Sequence, residues 1–279
     1  MKALLIVLIS LNMAAAASHH HAGLRLHDLT SEAQVSGDQA LEKMKAVRMI
    51  LVGEHHTDPA HHAAQLRLIR ALHESGRDIA IGLEMFRHDR DPILKQWVQG
   101  ELTEADLKAV YFEDWNFPWD LYRPIFDYAR QNRIPMLGLN VPRDITRQVA
   151  RQGFDSLSSE QKEILGHVTC DITPAYRDFV ARAHGMHGHG EMTFDSFCEA
   201  QMVWDTAMAV HAVRFLEQNP GHTLIILAGS GHARRPGIPT QVRQRSAVSL
   251  SVILPFTPGV FEPATLSAEE ADYLLLPEG

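Results

Sequence analysis

The stretch Val47-Arg48-Met49-Ile50-Leu51-Val52-Gly53-Glu54-His55-His56 decides the fold of this chain. Its apolar run, Val47–Val52, is of strand length and ends at a glycine that charged and imidazole side chains follow. Such a run is typical of a strand buried on both faces, as in a parallel sheet covered by helices. The helix predicted next, Pro59–Ser75, begins with proline in its first turn and stops at Gly76. A strand followed by a helix indicates the first unit of an α/β fold.

The same alternation continues along the chain. Four more apolar runs predict strands, namely Asp78–Leu83, Ile134–Leu139, Thr223–Ala228 and Ala247–Leu254. Helical patterns separate most of them: Asp91–Gln99, Thr103–Val110, Pro118–Asn132, Arg143–Gln152, Ser158–Leu165 and a long helix at about Thr193–Asn219. We therefore expect one three-layer α/β domain over residues 18–279, with a mostly parallel central sheet flanked by helices on both faces.

Composition narrows the class of protein. The 279 residues are 45% hydrophobic and 22% charged, which is enough apolar material for a sizeable core. A net charge of −8 gives no support to a nucleic-acid partner. Seventeen histidines are many for this length, and histidine is the commonest side-chain metal ligand, although a histidine-rich surface explains them equally well.

The N-terminus predicts export. Lys2, the apolar run Ala3–Leu11 and the small residues Ala15 and Ala17 fit a secretory signal peptide over residues 1–17. The mature protein is then periplasmic or otherwise exported, and no lipobox cysteine is seen near the cleavage site. The alternative is an uncleaved N-terminal helix buried in the fold.

Two cysteines occur, Cys170 and Cys198. In an oxidising compartment they could form a disulfide, and two buried thiols are the alternative.

Polar side chains stand at the ends of four predicted strands: Glu54 and His56, Glu84, Asn140 and Arg143, and His232. The carboxyl ends of parallel strands meet at one edge of a sheet, where ligands bind. Glu54, His56, Glu84 and His232 are thus expected to converge. They could hold a divalent metal ion, or act without metal through a histidine that a carboxylate polarises. The structural alternative is a hydrogen-bonded polar cap on the sheet.

Two polar residues lie on or beside the apolar stripe of the long helix. Gln201 lies on it and Asp205 next to it, and an unpaired buried polar group costs about 1–3 kcal/mol. They are expected either to support the strand-end cluster or to hold a loop.

A second group of possible ligands follows Thr173. Tyr176 precedes a glycine-rich segment with His184, His187 and His189, and phenolate and imidazole both ligate haem iron. A solvated loop without a ligand is the alternative. An aromatic stretch between the second and third strands could line a planar ligand or belong to the core: Tyr111, Trp115, Phe117, Trp119, Tyr122 and Tyr128.

Five short motifs occur in an order that resembles the ChaN-type haem-binding uptake proteins, which are related to erythromycin esterases and Tiki-type metalloproteases. They are Gly53-Glu54-His55-His56, Gly82-Leu83-Glu84-Met85, Leu139-Asn140-Val141-Pro142, Gln201 to Ala209 with Trp204-Asp205, and Gly229-Ser230-Gly231-His232. The resemblance spans about residues 45 to 255. It implies an α/β fold, a haem cofactor, a role in haem or iron uptake with other uptake components, and a homodimer.

The resemblance also implies a tyrosine ligand to haem, assisted by histidine. We assign Tyr176 to that role because it precedes the histidine segment on a helix expected at the surface, with His184, His187 and His189 as assistants. The hydrolases of the wider superfamily imply instead that Glu54, His56, Glu84 and His232 are catalytic or bind metal. Three hypotheses follow: an exported haem-binding protein, a metal- or histidine-dependent hydrolase of the esterase or peptidase kind, and a structural envelope protein with a vestigial site.

Overall fold

An eight-stranded sheet forms the centre of the computed structural model, which describes residues 24–277 except 167, 169, 171 and 187–192. The strands are β1 Arg25–Asp28, β2 Ala33–Ser36, β3 Met49–Glu54, β4 Ile79–Arg87, β5 Met136–Asn140, β6 Thr223–Gly229, β7 Leu250–Pro255 and β8 Tyr273–Leu276. Their order in the sheet is β2-β1-β8-β7-β3-β6-β4-β5. The five predicted strands are β3 to β7, and all their mutual pairings are parallel, which confirms the predicted fold class.

Three strands were not predicted from the sequence. β8 lies in the C-terminal segment and pairs in parallel with β7, while β1 pairs antiparallel with both β8 and β2. These strands are only four residues long, too short to carry a clear periodic pattern.

The helices are α1 Gly37–Met44, α2 Pro59–Glu74, α3 Asp91–Gln99, α4 Glu104–Asp114, α5 Trp119–Gln131, α6 Arg143–Gln152, α7 Ser159–Leu165, α8 Pro174–Met186, α9 Phe194–Gln218, α10 Ser230–Ala233 and α11 Ile238–Arg243. Eight of the helices correspond to predicted ones, and the short helices α1, α10 and α11 were not predicted. Asp58 caps α2, since its carboxylate accepts the backbone N–H of Ala60 at 2.8 Å. This cap fixes where the chain turns from β3 into α2, directly beside the predicted site.

Helices cover both faces of the sheet. Ile50 and Val52 of β3 pack in one apolar cluster with α1 to α5, whereas Met49 and Leu51 pack in a second cluster with α9 and α11. Side chains of a strand alternate between faces, so a continuous apolar run serves both cores. Each fully buried Leu or Ile side chain stabilises the fold by about 1.5–3 kcal/mol. The helices on both faces confirm the three-layer prediction.

A third apolar cluster lies between α6, α7, α8 and α9. Next to it, Cys170 and Cys198 form a disulfide, with 28 residues of sequence separation and their Cα atoms 5.5 Å apart. Of the two alternatives, the structure therefore selects the disulfide.

The predicted signal peptide, residues 1–17, lies outside the described residues. Within the described part of the chain, none of the helices has both the length and the apolar character needed to cross a membrane.

Candidate functional site

Three neighbouring strands bring the predicted side chains together. Glu54 is the last residue of β3, Glu84 lies in the last half of β4, and His232 lies in α10 immediately after β6. Since β6 is hydrogen-bonded to both β3 and β4, their carboxyl ends are adjacent. The strand-end cluster of Glu54, His56, Glu84 and His232 thus forms where sequence analysis predicted it.

Glu54 is the centre of a buried hydrogen-bond network. One of its oxygens accepts the Nδ1–H of His56 at 2.9 Å and the hydroxyl of Tyr122. The other accepts the Nε2–H of Gln65 at 2.9 Å and lies 3.4 Å from Nδ1 of His62. With its side chain 1% exposed, Glu54 orients His56 instead of reaching a ligand itself. We call Tyr122, Glu54 and His56 the first relay.

A second relay has the same composition. Asp205, which is fully buried, lies with Oδ1 2.7 Å from Nδ1 of His232. The hydroxyl of Tyr176 lies 3.3 Å from Oδ2 of Asp205 and 3.3 Å from the carbonyl oxygen of Gly231. In both relays a carboxylate can only accept from the imidazole, so Nδ1 carries the hydrogen and Nε2 is left for chemistry.

Glu84 lies between the two relays. It accepts the backbone N–H of Gly229 at 2.6 Å and approaches Nε2 of His232 at 3.7 Å. A Cβ atom on residue 229 would lie 2.9 Å from Cε1 of His56 and 3.6 Å from Glu84, so only glycine permits this approach. Asn140 donates from its side-chain amide to the backbone carbonyl of Glu84 at 3.0 Å, and so supports β4 from the neighbouring strand.

The relays alter the acidity of their members. Burial opposes charge on Glu54, but the hydrogen bond from His56 and the charges of His62 and His56 outweigh it and lower the pKa of Glu54. Burial also opposes charge on His56, and its bond to Glu54 and the charge of Glu84 prevail and raise the pKa of His56. For His232, burial is outweighed by the charges of Asp205 and Glu84, which raise its pKa to about 9. Near neutral pH, Glu54 is therefore ionised and His232 is cationic.

Aromatic rings surround both histidines. Trp115 meets the His56 ring edge-on with centroids 4.9 Å apart, and Phe117 lies 4.6 Å from it. Trp204 meets the His232 ring edge-on at 5.5 Å. The predicted aromatic stretch thus divides. Trp115 and Phe117 contact His56 and Tyr122 bonds to Glu54, while Tyr111, Trp119 and Tyr128 are buried in the core.

The other predicted supporting residues lie near the cluster with different degrees of contact. Asp205 belongs to the second relay. Gln201 precedes it by one turn of α9 and is half-buried, and Arg143 is half-exposed at the first position of α6. Their supporting roles stay predictions.

The predicted metal centre is not supported. Among the described residues, none of the groups of three or more His, Cys, Asp and Glu side chains has an arrangement that could hold a metal ion. The oxygens of Glu54 and Asp205 already accept hydrogen bonds within the two relays, and Glu84 accepts one from the backbone of Gly229.

Tyr176 does not lie at the surface, contrary to our expectation. It is 1% exposed, stacks on Phe179, and burial raises its pKa well above the ordinary value. Helix α8 turns this side chain inward, where its hydroxyl reaches Asp205 of α9. His187 and His189 lie outside the described residues, and so does the side chain of His184.

Sequence analysis missed three members of the first relay network, namely Tyr122, Gln65 and His62. Gln65 and His62 share one face of α2, the helix that follows the Glu54-to-His56 turn, so their spacing was a usable signal. Tyr122 was noticed only as an aromatic residue, since nothing local indicates that α5 brings its hydroxyl to Glu54.

Known proteins resemble this chain in sequence and in fold. The family described as "Haem-binding uptake, Tiki superfamily, ChaN" matches residues 40–242. The chain belongs to this ChaN family. ChaN of Campylobacter jejuni, solved with cofacial haem, superposes with a TM-score of 0.69 at 19% identity, covering 92% of this chain and 97% of that one. An erythromycin esterase in an open conformation superposes with a TM-score of 0.50 at 15% identity, covering 87% of this chain and 79% of the other.

A curated relative of this ChaN-family chain comes from a plant. Protein RETICULATA-RELATED 5, chloroplastic, of Arabidopsis thaliana is 21% identical over 229 residues, which cover 73% of this chain. The match spans 30% of the length of the plant protein. At these levels of identity, the structural comparisons establish the shared fold, and the family match establishes membership.

Proposed function

We propose that this protein binds haem. The observation that carries the proposal is the family match over residues 40–242, which includes every strand-end motif of the site. The C. jejuni relative with the same fold was solved with cofacial haem, which supports the same ligand class here.

The donor chemistry of the site fits haem iron through imidazole. Iron in haem proteins accepts histidine or tyrosine ligands. His56 is 26% exposed, and its hydrogen bond to Glu54 is the arrangement that orients a ligating histidine and raises its basicity. Trp115 and Phe117 beside it offer apolar contact to a planar macrocycle. His56 is therefore the described residue we assign to hold the iron.

Tyrosine ligation fits less well. All five tyrosines of the chain are buried, and burial raises the pKa of each: Tyr111, Tyr122, Tyr128, Tyr176 and Tyr273. A phenolate ligand would need a ring to leave its packed position and its hydrogen-bond partner. We therefore do not retain Tyr176 as the ligand, while His184, His187 and His189 stay the second candidates.

Titration with hemin tests the proposal. The purified protein should develop a saturable Soret band, and His56→Ala should weaken uptake at least about tenfold. His222→Ala, a half-exposed histidine at the opposite end of β6, is the matched control and should bind as the native protein does. If only the triple variant His184→Ala, His187→Ala, His189→Ala loses the band, the ligand lies in that segment. A native protein that takes up no hemin would refute haem binding.

Export and dimerisation complete the proposal. Residues 1–17 have the charge, apolar run and small residues of a cleaved leader, so we propose an exported protein that serves haem or iron uptake. We also propose a haem-linked homodimer. Sedimentation velocity with and without hemin should show the dimer, and mass analysis of the mature protein should show cleavage after residue 17.

A second candidate function, hydrolysis, is favoured by one observation: two relays converge on Glu84. His56, backed by Glu54, can remove a proton from water, while protonated His232 and Arg143 stabilise negative charge that develops on a carbonyl oxygen. The pKa of His232, which its carboxylate neighbours raise to about 9, keeps it cationic at neutral pH. This scheme requires no metal ion.

Ester turnover distinguishes the two functions. If the cluster is catalytic, p-nitrophenyl acetate should be hydrolysed, and His56→Ala and His232→Ala should each lower kcat/KM by about 10²- to 10⁴-fold. A native rate equal to that of His56→Ala would rule out this activity without affecting haem binding.

A further inference from the structure

Helix α6 carries three arginines on successive turns, Arg143, Arg147 and Arg151. Residues four apart lie on one side of a helix, about 6 Å from turn to turn. The buried positions of α6, Thr146 and Val149, lie on another side, and the three arginines are half-exposed or exposed. We call these three residues the arginine stripe.

Repulsion between the three positive charges of the arginine stripe lowers the stability of α6. Like charges at this spacing destabilise a helix by about 0.2–0.5 kcal/mol for each pair. Some other arginines are paired with acids, as in Arg87 with Asp89 and Arg235 with Asp272, and others bond to backbone carbonyls, as Arg48 does to Leu216. In the described residues, by contrast, the arginine stripe makes no ion pair. Three unpaired cations on one stripe are notable in a chain of net charge −8.

The stripe begins at the rim of the strand-end cluster. Arg143 follows β5 after two residues, and Asn140 at the end of β5 bonds to the backbone of Glu84. From there the stripe runs along α6, which packs beside α9, the helix that carries Asp205. An anionic ligand at the rim could therefore contact both the cluster and the stripe.

We propose that Arg143 and Arg147 bind the two propionate carboxylates of a porphyrin, an inference that rests on the proposed haem function. The guanidinium group suits this role because its donors match a carboxylate in pairs. Two guanidinium groups one helical turn apart can each bind one carboxylate on the same side of α6. Neither His56 nor the aromatic rings can distinguish the carboxylate edge of the macrocycle from its apolar edges, so the stripe supplies the orientation.

Hemin and its dimethyl ester separate this inference from haem binding itself. Both keep iron and ring, and only hemin keeps the carboxylates. The native protein should bind hemin about ten- to a hundredfold more tightly than the ester. The double variant Arg143→Gln, Arg147→Gln should lose this preference, through weaker hemin binding with ester binding unchanged. Both substitutions are at solvent-facing positions, and melting curves should match the native protein.

The matched control is Arg214→Gln, an exposed helical arginine near the end of α9 where Leu216 accepts a bond from Arg48. It removes the same charge and should leave the preference intact. Equal affinity of the native protein for both porphyrins, or an undiminished preference in the double variant, would overturn the inference while haem binding stands. If neither porphyrin binds to the native protein, haem binding fails and this inference fails with it.

Discussion

The hydroxyl of Tyr176 lies 3.3 Å from the carboxylate of Asp205, at the buried end of a relay whose other end is His232. This contact gives Tyr176 a place in the strand-end cluster, where sequence analysis had placed it in a separate surface site. The first relay, Tyr122 to Glu54 to His56, has the same order of groups. Two histidines are thus positioned by the same means from opposite faces of the sheet.

The substitution Tyr176→Phe tests the position of this tyrosine. If Tyr176 were a haem ligand, this substitution would shift or abolish the Soret band. Because its hydroxyl is buried against Asp205, we expect an unchanged band. Loss of its hydrogen bond to Asp205 should lower the free energy of unfolding by about 1–2 kcal/mol. Tyr128→Phe is the control, since that hydroxyl bonds to His73 away from the site. Loss of the Soret band in Tyr176→Phe but not in Tyr128→Phe would show instead that Tyr176 ligates the iron.

Stability should fall as the pH rises above neutrality. The pKa of His232 is raised in the folded protein, by Asp205 and Glu84 against the effect of burial, from 6.5 to about 9. Its contribution is therefore complete below pH 6.5 and is lost as the pH rises towards 9. The loss is at most about 3 kcal/mol. Urea unfolding between pH 6 and 9 should show a flatter profile for His232→Gln and for Asp205→Asn, and parallel profiles would contradict the assignment.

The substitution Gly229→Ala should disable the cluster without unfolding the protein. The new Cβ atom would lie 2.9 Å from Cε1 and 3.2 Å from Nε2 of His56, so the imidazole must move. Crowding of this kind costs about 1–3 kcal/mol. We expect weaker hemin binding or slower ester turnover, measured beside Gly221→Ala, where a Cβ meets nothing within 4 Å. Equal function in both variants would show that the position of His56 is unimportant.

Removing the disulfide should destabilise the domain. Cys170 and Cys198 close a loop of 28 residues, which in the chain-entropy description is worth about 3–4 kcal/mol. The double variant Cys170→Ala, Cys198→Ala should unfold at correspondingly lower urea concentration. Native protein reduced before unfolding should give the same midpoint as the variant, and an unchanged midpoint in both would show that the bridge adds no stability.

Much of the fold could be predicted because its signals are local. β3 and β6 are continuous apolar runs, and Asp58, Pro59 and Gly76 mark the limits of α2. The cluster of Glu54, His56, Glu84 and His232 followed from one topological rule, since parallel strands end at a common edge. The short strands β1, β2 and β8 were not predicted because their pairing depends on contacts between distant parts of the chain.

The sequence by itself determined the three-layer α/β architecture and which side chains stand at the strand ends, because both depend on the local order of apolar and polar residues. Only the tertiary structure decided the roles of Tyr122 and Tyr176. Each reaches its carboxylate from a helix far away in sequence, by 68 residues for Tyr122 and 29 for Tyr176. Such hydrogen bonds arise from helix packing against the sheet, which no local pattern encodes.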